Sequence, residues 1–199
     1  MIKLLKILGS GTNDNICRWT NEDSHLYWLS SEGVSVCWSQ LEPFLPFIKK
    51  AYGSLNQPDY SFVETKLKNN PYRGLLRNLS ECFAVDDVTS KMDDVCFRYV
   101  LRGPDCIWGL DLSMVGPFGL FMRLSPTPSK EDVVDYKSSN IVARERKVLD
   151  LLREKKIRLV TATDLEVEVD LKLVDRGSSD SANLYQSLFS DGISIPWKS

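Results

Sequence analysis

The sequence predicts an α+β fold, a mostly antiparallel sheet with helices packed before and after it. Three observations carry that expectation. The runs VCFRYVLR, CIWGLDLSMV and FGLFMRLS are rich in aromatic and β-branched residues and follow one another across the short links RGPD and VGPFG. That spacing is the pattern of an antiparallel meander. Helical segments marked by proline precede the block, and a long amphipathic segment, NIVARERKVLDLLREKK, follows it, which separates strands from helices along the chain. The 199 residues are read as one α+β domain able to bury a sizeable core. Within it the Pro/Ser-rich connector SPTPSKEDV makes 125–139 the candidate subdomain boundary.

Taken in order, MIKLLKILGSG superficially has the lysines, leucines and small residues of a leader. Lys6 interrupts its apolar run, so it reads as a short amphipathic helix or strand. GSGTND (9–14) lacks the lysine and further glycines of a phosphate-binding loop and reads as a turn. SHLYWLS and VSVCW form an expected hairpin around Ser-Ser-Glu-Gly. LEPFLPFIKKAY starts a helix near Pro43 or Pro46, since proline is tolerated in a first turn. GSLNQPD (53–59) is a loop, and SFVETKLKN a short helix. NPYRGLLRNLSECF is another helix, with Asn70 as cap and Pro71 at its first position. DDVTSKMDD is a polar connection into the meander.

Beyond the connector, the long helix takes Ser138 or Ser139 as its cap. It clusters Ile141, Val148, Leu149 and Leu152 on one side and carries lysines in its last turn. IRLVTA is a strand or extended link, RGSSDS a turn, ANLYQSLFSDG a short helix or strand, and ISIPWKS a tail. TDLEVEVDLKLV (163–174) alternates acids or lysine with Leu or Val. Thr163 and Glu166 have capping-box spacing, which would open a helical turn at 163–166. A continuous helix would place Val167 and Leu171 nearly opposite Leu165, Val169 and Leu173, so a strand over 167–174 is expected, with its acids on the other face.

Composition narrows the chemistry. A net charge of −2 provides no basic field, so direct nucleic-acid binding is not expected. No window approaches the roughly 18 apolar residues of a membrane span, and the expected location is the cytoplasm. Cys17, Cys37, Cys82, Cys96 and Cys106 include no CxxC pair, which points to buried structural thiols rather than disulfides or a zinc ribbon. His25 is the single histidine; it reads as a capping or surface residue rather than the base of a Cys/His pair. The pairs Asp86/Asp87 and Asp93/Asp94 lack the further oxygen ligands of a calcium loop. No metal, no cofactor and no catalytic residue is therefore assigned, and the protein is not expected to be an enzyme. The rival reading is a hydrolase that would gather Asp86, Asp87 and Asp111, or His25 and a cysteine.

Two features favour partner binding. Asp164, Glu166, Glu168 and Asp170 would form an acidic face, either solvated or matched to a basic protein. Trp19, in the polar stretch NDNICRWTNED, and Trp197, in the tail, are hard to bury within their own segments and are candidate interface anchors.

The C-terminal third, from Arg144 to Trp197, resembles the ending of small bacterial immunity proteins. These are the antitoxins of polymorphic toxins delivered by contact-dependent or type VI systems. The shared elements are a helix ending in basic residues, the IRLV and DLEVEV segments, and a closing LYQSLFSDG…PW. The resemblance implies a cytoplasmic, single-purpose binder that occludes one cognate toxin domain. An acidic face would suit a basic toxin such as a nuclease. An adaptor or chaperone for a secreted effector is the other binding-class alternative.

Overall fold

The computed structural model of the chain describes residues 3–5, 17–20, 26–30, 33–34, 38–91, 94–172, 182–190 and 195–198. It divides into two compact units, Met1–Pro46 and Phe47–Ser199.

The first unit holds β1 (Lys3–Leu5), β2 (Cys17–Thr20), β3 (Leu26–Ser30) and β4 (Gly33–Val34) as an antiparallel sheet in that order, then α1 (Trp38–Leu41). The expected hairpin is present as the β3–β4 pair, with Leu29 opposite Val34, but Trp38, expected at the end of its second strand, opens helix α1. The stretch around Trp19, read as polar, supplies strand β2, which pairs with β1 on one side and β3 on the other. GSGTND and His25 lie outside the described residues. Helix α2 (Leu45–Tyr52) carries the chain out of this unit, with Pro46 in its first turn.

The second unit is built on a five-stranded sheet. Its strands are β5 (Ala84–Asp87), β6 (Cys96–Arg102), β7 (Ile107–Ser113), β8 (Phe118–Arg123) and β9 (Arg158–Leu159), in that order. The first four are antiparallel and β9 joins β8 in parallel, so the α+β class and the expected meander are both present. Asp86 and Asp87, read as polar connection, belong to β5. That strand is the sheet's edge, where outward carboxylates meet water and discourage pairing with another chain.

The sheet has two unlike faces because side chains alternate along each strand. Phe97, Tyr99, Leu101, Trp108, Leu110, Leu112 and Phe121 point to one face. There they meet Leu75 and Leu79 of α4 (Arg73–Ser80) and Val148, Leu149 and Leu152 of α5 (Ala143–Glu154). Helix α3 (Ser61–Lys68) precedes α4 and sets Phe62, Val63 and Leu67 against the margin of this core. Asn70 and Pro71, expected as cap and first helical position, both lie ahead of α4: Tyr72 holds the cap position, and Asn70 Oδ1 accepts from the Tyr72 N–H at 2.8 Å in the turn that leads in. The helix stops at Ser80, short of the expected Glu81-Cys82-Phe83.

Two expectations about α5 and the following segment need correction. The cap of α5 is neither Ser138 nor Ser139. Asn140 has φ of 61° and turns the chain, so the helix starts at Ala143, and the Val142 N–H donates to Glu145 Oε2 at 3.0 Å. The helix ends in a Schellman turn. Lys156 takes φ of 55° and donates to the Arg153 carbonyl, while Ile157 donates to that of Leu152. Next, the capping box at 163–166 and the strand over 167–174 are both displaced. Helix α6 is Ala162–Leu165, capped two residues earlier by Thr161 with Asp164. Among the described residues of 167–174, Glu168–Val169 (β10) alone form a ladder, with Ala182–Asn183 (β11). A ladder needs an edge to pair with, and β11 offers two among the described residues. Leu173, Val174 and the RGSSDS turn lie outside the described residues.

The connector 125–139 runs inside the second unit. Val133 bridges Met122, and the Val134 N–H donates to the Phe121 carbonyl at 2.8 Å. Helix α7 (Leu184–Leu188) is anchored where Ser113 Oγ donates to the Leu188 carbonyl at 2.7 Å and Tyr52 OH to that of Ser187 at 3.0 Å. No helix among the described residues is long and apolar enough to cross a membrane.

Candidate protein-binding surface

Residues 161–171 are organised by what their backbone and apolar side chains already satisfy. Asp164 is consumed locally: its Oδ2 accepts from Thr161 N–H at 3.2 Å and Thr161 Oγ1 at 2.9 Å, and its own N–H donates back to that hydroxyl. Such a reciprocal box covers donors that a helix start leaves open. Leu165, Val167, Val169 and Leu171 are all buried. Side chains of an extended chain alternate whether or not a ladder forms, which accounts for Val169 and Leu171; Leu165 is buried from helix α6 and Val167 from the turn after it.

Glu166 is the hub of an internal clamp. Lys130 Nζ stands 2.7 Å from Oε1, Trp197 Nε1 donates to the same oxygen at 3.0 Å, and Lys198 Nζ lies 3.4 Å from Oε2. The Lys130 hydrogen bond, then that of Trp197, hold its carboxyl down at about 2, against the slight opposing effect of burial. Trp197 is thus half-buried and engaged with its own chain, and Ile195 beside it is fully buried. Two of the sequence-read candidates, Glu166 and Trp197, meet each other.

Glu168 and Asp170 differ. Both are exposed, and neither has an ion-pair partner among the described residues. Their backbone is held from both sides: Leu184 N–H donates to the Val167 carbonyl at 2.8 Å, and Lys172 N–H to that of Leu55 at 2.9 Å. The acidic face therefore splits into two structural carboxylates and two that point outward. Trp19 is placed by its backbone on β2 between Leu4 and Tyr27; its side chain lies outside what is described.

The carboxylates of the hydrolase reading are each engaged separately. Arg102 Nε donates to Asp86 Oδ2 at 2.7 Å, and Thr89 Oγ1 to Asp87 Oδ1 at 2.6 Å. Asp111 belongs to a buried cluster on the sheet face away from α4 and α5. Arg98 Nε donates to Asp111 Oδ1 at 3.1 Å, Nη1 lies 3.2 Å from Asp94 Oδ1, and Nη2 donates to Tyr185 OH at 3.4 Å. Burial raises the Asp111 carboxyl even though Arg98 opposes the shift, and burial also pushes the neighbouring Cys96 thiol up. Beside this cluster a pocket of about 370 Å³ is lined by Val100, Gly109, Leu120, Met122 and Pro128.

Asp93 lies outside the described residues. Among those described, no group of three His, Cys, Asp or Glu is placed to hold a metal. Cys96 is buried, Cys82 and Cys106 are half-buried, and the side chains of Cys17 and Cys37 lie outside what is described.

Sequence reading missed Lys130 and Lys198 as partners of Glu166, and Arg98 as the centre of a buried network. For Arg98 a signal existed: FRYV places one arginine between residues of an otherwise apolar strand, and a buried charge requires partners. Comparison with family models, with curated proteins and with solved structures returned no match for this chain.

Proposed function

We propose that the protein is a cytoplasmic immunity-type antitoxin that binds one cognate toxin domain, a basic nuclease being the best-suited chemistry, and neutralises it by occlusion without catalysis. The observation that carries this reading is the pair Glu168 and Asp170, two outward carboxylates on a backbone pinned by buried neighbours. Charges held in place lose little freedom when a partner arrives, and an acidic site steers a basic partner into register. The resemblance of the C-terminal third to immunity proteins supports the same reading, because these residues lie within it.

The clamp determines which variants test it. Substituting Glu166 would disturb the tail as well as the surface, whereas Glu168→Lys with Asp170→Lys alters exposed groups alone. The double variant is expected to fold and melt as the parent does. It should bind the toxin encoded by an adjoining gene at least about tenfold more weakly, a loss of about 1.4 kcal/mol, with a shallower salt dependence. Unchanged affinity would move the interface elsewhere. Co-expression that fails to protect cells would sink the immunity reading, and a stable complex that leaves the toxin active would turn it into an adaptor.

A further inference from the structure

Lys147, exposed on α5, brings its Nζ within 2.6 Å of the Sγ of Cys82, a half-buried residue two positions beyond the end of α4. This distance does not fit a hydrogen bond to sulfur. Even N–H···O contacts run about 2.7–3.2 Å, and sulfur is a larger and weaker acceptor. Where a thiol does hydrogen-bond here, Cys106 Sγ donates to the Ile107 carbonyl across 3.6 Å. Two atoms bonded to one shared atom, by contrast, stand about 2.5 Å apart, as N and C do across Cα. A direct sulfur–nitrogen bond would require the pair to close much further.

We propose that Cys82 and Lys147 are an oxidatively cross-linked pair, joined through one oxygen atom as S–O–N when the protein meets peroxide. The balance runs in three steps. Peroxide oxidises the Cys82 thiol to sulfenic acid: an S–O bond forms, the O–O bond breaks and one water leaves. A second peroxide oxidises the neutral Lys147 amine to a hydroxylamine, again releasing one water. The two hydroxyl groups then condense, forming S–O–N and releasing a third water. Sulfur and nitrogen each give up two electrons, and two peroxides accept all four. The sulfur sits near the surface on one side and against the core margin on the other, so small oxidants reach it while the amine stays in place. The bridge fastens the turn after α4 to α5 on the same face of the sheet. Lys147 must shed its proton to react, and a lysine ammonium does so only as pH rises toward the ordinary lysine range. The linking rate therefore rises with pH.

The full chain, purified reduced and treated with hydrogen peroxide across a pH series, tests this by intact-mass and peptide mass spectrometry. The expected product gains one oxygen and loses two hydrogens. It joins the peptide containing Cys82 to the one containing Lys147, and a thiol reductant reverses it. Lys147→Arg, an exposed and fold-neutral change, abolishes the product while leaving Cys82 oxidisable. Whole-oxygen additions to Cys82 without a link would overturn the proposal. So would a link with no oxygen gained, or the same product from the Lys147→Arg variant.

Discussion

Trp108 and Arg123 meet on Glu145, while Trp197, Lys130 and Lys198 meet on Glu166. The chemistry is nearly the same: a carboxylate accepts one indole N–H and pairs with cations. The settings are opposite. Glu145 is 1% exposed, held by both nitrogens of an arginine fork at 2.7 and 2.8 Å and by the Val142 N–H. Glu166 keeps 23% of its side chain in solvent and relies on lysines. At Glu145 burial opposes the charge, and the hydrogen bonds from Arg123, Trp108 and Val142 overcome it, so its carboxyl still lies below the ordinary range. At Glu166 little burial opposes the charge, and the carboxyl drops to about 2. The contrast shows that pKa depression and structural importance are separate matters. What a carboxylate is worth depends on what would be stranded if it were removed.

The largest expected effect is therefore at the group with the weaker depression. Glu145→Ala leaves Trp108 Nε1 and part of the Arg123 fork without an acceptor in the interior, and loosens the start of α5. It is expected to cost about 3–5 kcal/mol in urea unfolding, and a loss under about 1 kcal/mol would refute the view that burial sets the worth of this site. At the surface hub, Glu166→Gln keeps an oxygen for Trp197 and loses only the attraction to Lys130 and Lys198. A cost of roughly 0.2–1 kcal/mol is expected, shrinking further in concentrated salt, as thermal melts at two ionic strengths would show. A cost that ignores salt would mean the clamp behaves like a buried pair.

The smallest effect is the acid titration of the clamp. Its folded carboxyl is depressed below the unfolded value of about 4.3. Its stabilisation is thus complete above that pH and lost as pH falls toward about 2. Trp197 donates its indole N–H to the clamp, so the difference in fluorescence between the parent and Trp197→Phe isolates it. That difference should change between these two pH values in the parent and stay flat in the Glu166→Gln background.

How much of this could be read from residues alone follows from the range of each interaction. The meander was legible because β6, β7 and β8 are neighbours in sequence and space, so pattern and pairing coincide. Helices α3 and α5 were legible from periodicity, but the start of α5 was not. Its boundary is set by Asn140 turning the chain and by Glu145 reaching back to Val142, a choice that serine residues upstream concealed. The segment 165–171 is the sharpest mixed case. Its alternation predicted which side chains are buried, although extended geometry accounts only for Val169 and Leu171, and Leu165 is buried from helix α6. The ladder length depended on β11, thirteen residues or more away along the chain.

The chain's own chemistry determined the α+β class, the apolar stripes and the presence of acids between buried residues at 164–170. Only the tertiary structure decided which of those acids are already occupied. Asp164 is bound by a neighbour three residues away, Glu166 by Lys130 and Trp197 from distant parts of the chain, and Glu168 and Asp170 face solvent. Local pattern is dictated by backbone geometry, which every residue carries with it. The partners of Glu166 are dictated by where folding brings other segments, and nothing in its own stretch records that.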